Sequence, residues 1–140
     1  MKVKVKKLSE HAVMPFKAYA TDSGFDLFAL DQVIISPFQK VAVGTGIAFE
    51  IPVGYEIQIR PKSGVSSKTP LNVIVGTVDS GYIGEVSIIV QNVSSERYEI
   101  PRGYKLAQAV FQKLPDIELV EATELNSGDR GANGFGSTGV

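Results

Sequence analysis

The sequence has no cysteine and only one histidine, His11. The absence of thiols excludes a disulfide framework and a thiolate metal site. One histidine cannot form a metal centre that needs several. His11 lies between Glu10 and Ala12 in a polar stretch, which is typical of a surface position. The sequence therefore offers no cysteine-based or histidine-rich metal centre.

Strong net charge and long apolar runs are also missing. Lysine and arginine number 14 against 15 acidic residues, which leaves a formal net charge of −1. No polycationic surface for a nucleic-acid polymer is expected from that balance. No apolar run approaches the roughly 18 residues of a membrane-spanning helix. Residues 1–7 alternate lysine with valine where a signal peptide would have an apolar block. These features favour a cytoplasmic protein without a membrane partner.

Helix signals are scarce, and the dominant hydrophobic period is two residues, which is typical of short strands bounded by glycine and proline. With 140 residues and 44% apolar content, the chain is expected to form one domain with a sizeable core. The pattern predicts about ten short strands in an all-β sandwich, barrel or jelly roll. Strands are expected around residues 3–5, 33–35, 41–51 with a bend at 44–46, 55–60, 71–78, 86–90, 106–114 and 117–120.

Two of these predicted strands, residues 71–78 and 86–90, are dense in apolar residues, so both of their faces are expected to be buried. A sheet with two apolar faces needs a cover, and the chain has few helices to supply one. Another copy of the chain is the simplest cover. The sequence therefore predicts a homo-oligomer.

The C-terminal segment, residues 128–140, contains five glycines, two hydroxyls, Arg130 and Phe135. A glycine-rich end of this kind is commonly a disordered linker. Its composition also suits a nucleotide, because glycine lets backbone N–H groups approach a phosphate, arginine offers a fork of donors, and phenylalanine offers a face for a base. The second interpretation predicts a segment that becomes ordered over a bound nucleoside phosphate.

Two internal segments could supply the rest of a nucleotide site. Residues 60–68 combine cations, hydroxyls and a glycine, which fits an anion-binding concavity and equally an ordinary polar loop. Asp79 and Tyr82 lie between two apolar strands, where a plain hairpin turn is the commoner explanation. A fixed carboxylate there could instead be a general base that deprotonates water. Tyr82 could then pack on a sugar, while the backbone of residues 71–78 reads a pyrimidine edge.

Asp26 and Gln108 are polar residues in apolar surroundings. Asp26 is interpreted either as a turn-capping carboxylate or as a group that holds a metal-bound water. Gln108 lies inside an apolar strand, where its amide is either satisfied by backbone or faces a ligand.

In order and spacing, five segments resemble the five motifs of the homotrimeric deoxyuridine triphosphatases. The most specific are RGANGFGSTG at residues 130–139, similar to the family's RGxGGFGSTG tail, and VDSGYIG at 78–84, similar to IDxxYxG. The other three are GFDL at 24–27, similar to GxDL, PKSG at 61–64, similar to PRSG, and GYKLAQ at 103–108, similar to GxRIAQ. The resemblance extends from about Ala18 to Gly139.

This resemblance implies a β-clip, jelly-roll-like subunit, with residues 1–127 as the domain and 128–140 as its flexible lid. Three subunits would share three sites, each assembled from residues of all the subunits. The implied reaction is hydrolysis of dUTP to dUMP and pyrophosphate, which keeps uracil out of DNA and supplies dUMP for thymidylate synthesis.

The resemblance also implies individual roles. Asp79 would activate the water that attacks the α-phosphorus, and Tyr82 would pack on the deoxyribose and exclude a 2′-hydroxyl. The backbone between Val73 and Val78 would read the uracil. Asp26 would position water around a Mg²⁺ ion chelated mainly by the triphosphate. The phosphates would be held, and the uracil covered, by residues of three motifs: Lys62, Ser63, Gly64, Gln108, Arg130, Phe135, Gly136, Ser137 and Thr138.

The chain departs from the family pattern at two positions. Lys62 replaces the usual arginine and cannot form a bidentate fork, which predicts altered phosphate affinity or an altered intersubunit contact. Gly81 replaces a second aspartate found in many members. The related dCTP deaminases also have an Asp-x-Gly turn, but they carry a catalytic glutamate ten residues after the turn aspartate, where this chain has Ile89. Deamination is therefore disfavoured. A nucleotide-sensing module that uses the same site to switch a protein partner remains the alternative to an enzyme.

Overall fold

The computed structural model describes residues 1–139, and Val140, the last residue of the predicted lid, lies outside the described residues. The described chain has eleven strands and one short helix. They are β1 (Lys4–Lys7), β2 (Phe25–Phe28), β3 (Val33–Ile35), β4 (Lys40–Gly44), β5 (Ile47–Glu50), β6 (Tyr55–Pro61), α1 (Ser63–Lys68), β7 (Leu71–Val73), β8 (Gly76–Asp79), β9 (Ser87–Asn92), β10 (Tyr98–Ile100) and β11 (Lys105–Lys113).

The strands form open antiparallel sheets in a jelly-roll-like arrangement. The largest sheet has the order β2-β11-β6-β8, and a second has the order β4-β9-β7. Two-stranded pairs β1-β5 and β3-β10 complete the set. The predicted all-β, jelly-roll-like fold is thus confirmed. No helix within residues 1–139 has the length and hydrophobicity that a membrane span requires.

The core is built from the inward faces of the sheets. Leu27, Ile57 and Ile88 are fully buried, at 0% exposure each. Burying one such side chain contributes about 1.5–3 kcal/mol relative to leaving it in water. Because side chains alternate along a strand, the core needs an apolar residue only at every second position.

A single chain does not bury both faces of residues 71–78 and 86–90. Burial alternates along β7, β8 and β9. Val75 is 57% exposed and Ile89 is 37% exposed. The apolar residues on the outer face have no covering layer within the described chain, so the sequence's apolar density exceeds what one subunit buries.

A plain hairpin around Asp79 is also not found. β8 pairs with β6, whereas β9 pairs with β4 and β7. The turn after Asp79 therefore connects two different sheets. The apolar run 71–78 is split for the same reason, since β7 belongs to one sheet and β8 to the other.

The predicted strand at residues 117–120 is absent from the structure. Residues 114–139 contain neither strand nor helix. Ile117 is 67% exposed and Leu119 is 92% exposed. A strand forms only when its backbone groups find a partner edge, and in the described chain this segment has none. The polar segment after β6, for which no helix was predicted, folds into the six-residue helix α1. Val65 is the buried residue of this helix.

The predicted bend at residues 44–46 is confirmed between β4 and β5. The hydroxyl of Thr45, 1% exposed, donates to the carbonyl of Val86 at 2.6 Å and accepts from the N–H of Ile47 at 3.2 Å. Gly46 has a φ of 66°, and an added Cβ would lie 2.9 Å from that of Ala12. Only glycine fits this bend without strain.

Phe38 is a strained residue in the turn between β3 and β4. Its φ of 59° lies in the left-handed region, and the residue is 62% exposed. A left-handed conformation costs a non-glycine residue about 1–2 kcal/mol. Replacing Phe38 with glycine is therefore expected to raise the free energy of unfolding by up to about 1 kcal/mol, after allowance for the greater entropy of unfolded glycine.

Urea denaturation measures this change. Phe38→Ala is the matched control, because it removes the ring and keeps the Cβ. A gain in Phe38→Ala equal to that in Phe38→Gly would show that ring exposure, and not backbone strain, limits stability here.

Candidate functional site

The sheet order β2-β11-β6 brings three of the predicted motifs together. Gln108 on β11 is directly paired with Asp26 on β2 and with Arg60 on β6. Its side-chain amide donates to the carbonyl of Pro61 at 2.9 Å. Gln108 thus links the strand that carries Asp26 to the end of β6, from which the chain enters α1.

These segments line a cleft of about 240 Å³, which we call the Asp26 cleft. The structure therefore brings together the predicted residues Asp26, Lys62, Ser63, Gly64 and Gln108. The residues that line the Asp26 cleft are Asp22, Ser23, Gly24, Asp26, Lys62, Ser63, Gly64 and Gln108.

Asp26 is a buried carboxylate held by two lysines. Its side chain is 6% exposed, and one oxygen contacts the ammonium of Lys62. The other oxygen lies 3.3 Å from the ammonium of Lys105. In the described chain it caps no turn, so that interpretation is not supported. A buried charge is costly unless it is paired, and here two cations pair it.

Lys105 is a site residue that sequence reasoning missed. Its ammonium lies 5.4 Å from the ring centroid of Phe16, which stacks on Phe28 with the centroids 5.5 Å apart. A cation over an aromatic face is stabilised, so Lys105 is held in place from two sides. Its position two residues after Gly103, inside the fourth motif, was the available signal.

Gly24 lies against the side chain of Gln108. A Cβ at this position would approach the Oε1 of Gln108 to 2.7 Å, its Cβ to 3.0 Å and the Cγ2 of Val110 to 3.1 Å. Gly24→Ala is expected to displace Gln108 and to lower the free energy of unfolding by about 1–3 kcal/mol, as overpacking does.

The matched stability control is Gly64→Ala, since a Cβ there would meet nothing within 4 Å. Chemical denaturation of the two variants separates steric conflict from loss of glycine as such. Equal free energies of unfolding in the two variants would mean that Gln108 and Val110 move aside without loss of stability.

Asp79 and Tyr82 lie in a second cleft, of about 290 Å³, which we call the Asp79 cleft. The N–H of Tyr82 donates to the carbonyl of Asp79 at 3.0 Å, and the Tyr82 hydroxyl donates to the carbonyl of Glu85 at 2.8 Å. A Cβ at Gly84 would lie 2.6 Å from the Tyr82 hydroxyl oxygen, so the tyrosine occupies space that only glycine leaves free. The lining is Thr77, Val78, Asp79, Tyr82, Glu85, Val86 and Ser87.

The carboxylate of Asp79 is exposed and makes no ion pair or side-chain hydrogen bond within residues 1–139. It can therefore accept a proton or a hydrogen bond from water. The Glu85 carboxylate, also missed in the sequence, accepts from the N–H of Gly46 at 3.3 Å. A Cβ at Gly81 would meet nothing within 4 Å, so packing does not require glycine at this position.

The predicted reader of a base, Val73 to Val78, spans β7 and β8. Each of these strands is the edge of its sheet. An edge strand presents a row of backbone donors and acceptors without sheet partners. Val73 faces the core at 3% exposure, so its contribution to any ligand is limited to its backbone.

The two clefts are separate in one subunit. Asp79 is paired with Glu56 near the start of β6, whereas the Asp26 cleft lies beyond Pro61 at its end. Five residues of extended strand span about 17 Å at about 3.3 Å per residue. The structure therefore does not bring Asp79 together with Ser63 and Gln108 within a subunit.

The C-terminal tail, residues 128–139, lines neither cleft. Its backbone hydrogen bonds are local, such as those from Asn133 N–H to Arg130 carbonyl at 3.1 Å and from Gly139 N–H to Gly136 carbonyl at 3.0 Å. Phe135 is fully exposed with a φ of 49°. Ser137 and Thr138 are also exposed, and the tail contributes no lining residue to either cleft.

The family model for dUTPase matches residues 10–139. The deoxyuridine 5′-triphosphate nucleotidohydrolase of Hydrogenobaculum sp. is 47% identical over 143 residues, covering 100% of this chain and 99% of that protein. That of Nautilia profundicola is 45% identical over 141 residues, covering 99% of both.

The chain belongs to the dUTPase family. It is accordingly an enzyme of the dUTP diphosphatase type. Among solved structures, the G164S mutant of the Staphylococcus bacteriophage 80alpha dUTPase with dUpNHpp matches with a TM-score of 0.94 at 32% identity, covering 99% of both chains. A dUTPase mutant from phage phi11 of S. aureus, described with a structural Mg(II) ion, matches with a TM-score of 0.85 at 32% identity, covering 89% of this chain and 98% of that one. The enzyme thus shares both sequence family and subunit fold with dUTPases.

Proposed function

We propose that the enzyme hydrolyses dUTP to dUMP and pyrophosphate by attack of an Asp79-activated water on the α-phosphorus. The observation that carries this proposal is the exposed carboxylate of Asp79, free of ion pairs within residues 1–139, at the end of an edge strand whose backbone can bind a base. A new bond forms between the water oxygen and the α-phosphorus. The bond from that phosphorus to the bridging oxygen breaks, and its electron pair leaves with pyrophosphate. The proton of the water passes to Asp79.

Recognition of the nucleoside is assigned to the Asp79 cleft. Backbone groups of Val73 to Val78 bind the uracil edge, and Tyr82 packs on the deoxyribose. The hydrogen bond from Tyr82 to Glu85 holds the tyrosine ring against Gly84. Because the ring cannot move aside, a 2′-hydroxyl on the sugar would clash with it. A site with fixed polar groups discriminates strongly against ligands that leave them unpaired.

The phosphates are assigned to the Asp26 cleft, where Lys62, Ser63, Gly64 and Gln108 converge. Arg130, Gly136, Ser137 and Thr138 complete the phosphate site when the tail closes, and Phe135 covers the uracil. Arg130 suits the γ-phosphate, since its fork matches phosphate geometry. Closure excludes bulk water and holds the triphosphate for in-line attack.

The carboxylates present fit a magnesium ion that arrives with the substrate. Mg²⁺ retains several waters and is commonly bound by one or two carboxylates plus substrate phosphates. Asp22 and Asp26 line the same cleft as Lys62 and Ser63, and residues 1–139 contain no cluster of three or more metal-ligating side chains. Asp26 would hold the ion through water. Bound there, the ion would neutralise charge on the triphosphate oxygens.

A homotrimer with shared sites is supported by the separation of the two clefts within one subunit. A nucleotide that contacts both Asp79 and Ser63 requires these residues from different subunits. The exposed apolar residues Val75, Ile89 and Leu119 are available for burial between subunits.

Multi-angle light scattering is expected to give three times the 15.0 kDa subunit mass at micromolar concentration. A stable monomer with full activity would contradict the shared-site arrangement. A dimer would contradict its threefold form.

Pyrophosphate release from dUTP, dCTP, dTTP and UTP tests the reaction itself. Turnover is expected with dUTP, and comparable kcat/KM with UTP or dTTP would overturn the assigned specificity. Ammonia release from dCTP would instead support a deaminase. The outward-facing Ile89 occupies the position at which a deaminase needs its glutamate.

A regulatory role for the same site is the second candidate. Phage 80alpha dUTPase, whose structures match this fold, is described as controlling the transfer of virulence genes by a G protein-like mechanism. Such a role predicts a protein partner whose capture depends on dUTP. An Asp79→Asn variant would then retain nucleotide-dependent capture while losing turnover.

A further inference from the structure

A third cleft lies beside the Asp26 cleft, between α1 and the turn from β10 to β11. It has a volume of about 550 Å³, and we call it the Arg102 cleft. Four cationic side chains line it, and none of its lining residues is acidic. These cations are Lys62, Lys68, Arg102 and Lys105.

Within residues 1–139, Asp26 is the one carboxylate that forms ion pairs with this cluster. It contacts two of the four cations, Lys62 and Lys105. Lys68 and Arg102 are exposed and form no ion pair within residues 1–139. Like charges gathered at one surface repel each other, and an anion bound among them relieves that repulsion. The positive charge of the cleft therefore favours binding of a small polyanion.

The Arg102 cleft adjoins the Asp26 cleft. Lys62 and Gly64 line both of them. Asp22 and Asp26 lower the positive charge on the Asp26 side, whereas the Arg102 side has no acid in its lining. The lining of the Arg102 cleft therefore carries more positive charge than the lining of the Asp26 cleft, to which the substrate phosphates are assigned.

We infer that the Arg102 cleft is an exit subsite that receives inorganic pyrophosphate after the bond to the α-phosphorus breaks. This inference rests on the proposed function, because that reaction generates the anion. Pyrophosphate gains charge when it takes the bridging electron pair. It is then attracted towards Lys68 and Arg102, while dUMP stays in the Asp79 cleft. Arg102 offers a bidentate fork for a phosphate group, and Lys68 offers a mobile point charge.

Isothermal titration of inorganic pyrophosphate into the nucleotide-free full chain at low ionic strength tests this inference. Arg102→Gln and Lys68→Gln are each expected to weaken binding about three- to tenfold, since each removes a charge-assisted contact that solvent partly screens. Added salt should reduce the difference. Lys113→Gln is the matched control. This variant also loses one positive charge. Lys113 lies on β11, the strand that begins at Lys105, and is about 26 Å from Lys105 at about 3.3 Å per residue.

Product inhibition during dUTP turnover supplies the second readout. Arg102→Gln should raise the inhibition constant of pyrophosphate and leave the KM for dUTP within twofold of the parent chain. A matching rise in KM would place Arg102 in the substrate's phosphate site and overturn the exit subsite. Orthophosphate or sulfate binding as tightly as pyrophosphate would also overturn it, as would equal pyrophosphate binding by Arg102→Gln and Lys113→Gln. Selective pyrophosphate binding by a chain that does not turn over dUTP would retain the subsite while rejecting the reaction.

Discussion

Replacing Asp79 with asparagine is expected to lower kcat for dUTP by about 10²- to 10⁴-fold, the range associated with loss of a general base. The amide keeps the size of the side chain and removes its ability to take a proton. Asp79 is exposed and forms no ion pair within residues 1–139, so the substitution should leave the melting temperature nearly unchanged. Steady-state pyrophosphate release and equilibrium binding of a non-hydrolysable dUTP analogue measure the two effects separately.

Asp31→Asn is the matched control for Asp79→Asn, since it removes an exposed carboxylate outside both clefts. Its kcat should equal that of the parent chain. Full turnover by Asp79→Asn would mean that another group takes the proton. Glu85, in the same cleft, would then be the next residue to test.

Deletion of the residues after Asn126 is expected to lower kcat/KM by about 100-fold or more, because the phosphates and base lose the groups that position them. The fold should be preserved, since residues 127–139 contribute no strand and their backbone hydrogen bonds are local. Circular dichroism, thermal unfolding and light scattering check that the body and the oligomer survive. Unchanged turnover would show that the tail is only a linker.

Arg130→Lys and Phe135→Ala divide the effect of the deletion between its parts. Arg130→Lys keeps the charge and loses the bidentate fork, so a loss of activity would assign the fork to phosphate binding. Phe135→Ala removes the ring proposed to cover the base. Both variants keep the tail, and they therefore separate specific contacts from mere exclusion of solvent.

Mixing the two impaired chains tests whether the sites are shared. In mixed trimers of Asp79→Asn with the chain truncated after Asn126, some sites would combine an intact Asp79 from one subunit with an intact tail from another. Partial recovery of activity is expected after co-expression. If every site used Asp79 and the tail of the same subunit, the mixed trimers would stay as inactive as their components.

Local sequence was sufficient for the elements whose causes are local. The bend at residues 44–46 follows from the positive φ of Gly46, which glycine adopts without strain, and β6 follows from strict alternation of apolar and polar residues. The motif spacing also placed Asp26, Ser63 and Gln108 in a single hypothesis, and the sheet order β2-β11-β6 brings them into one cleft. Their roles in catalysis and binding stay predictions.

Features that depend on strand pairing between residues far apart in the sequence could not be predicted from local sequence. Residues 71–78 form one apolar run in the sequence, yet strand pairing divides them between two sheets. Residues 117–120 alternate like a strand, but the described chain offers them no partner edge. The contact of Lys105 with Asp26 joins residues 79 positions apart and follows only from the register between β2 and β11.

By itself, the sequence determined the all-β class and the family, because hydrophobic period and short motifs are properties of neighbouring residues. The tertiary structure alone decided that four of the five motifs fall into two clefts about 17 Å apart along β6. It also decided that Asp26 is held by two lysines and that four cations gather in a third cleft. Distances of this kind are fixed by which strands pair and in what register, and those pairings join residues that are far apart in the chain.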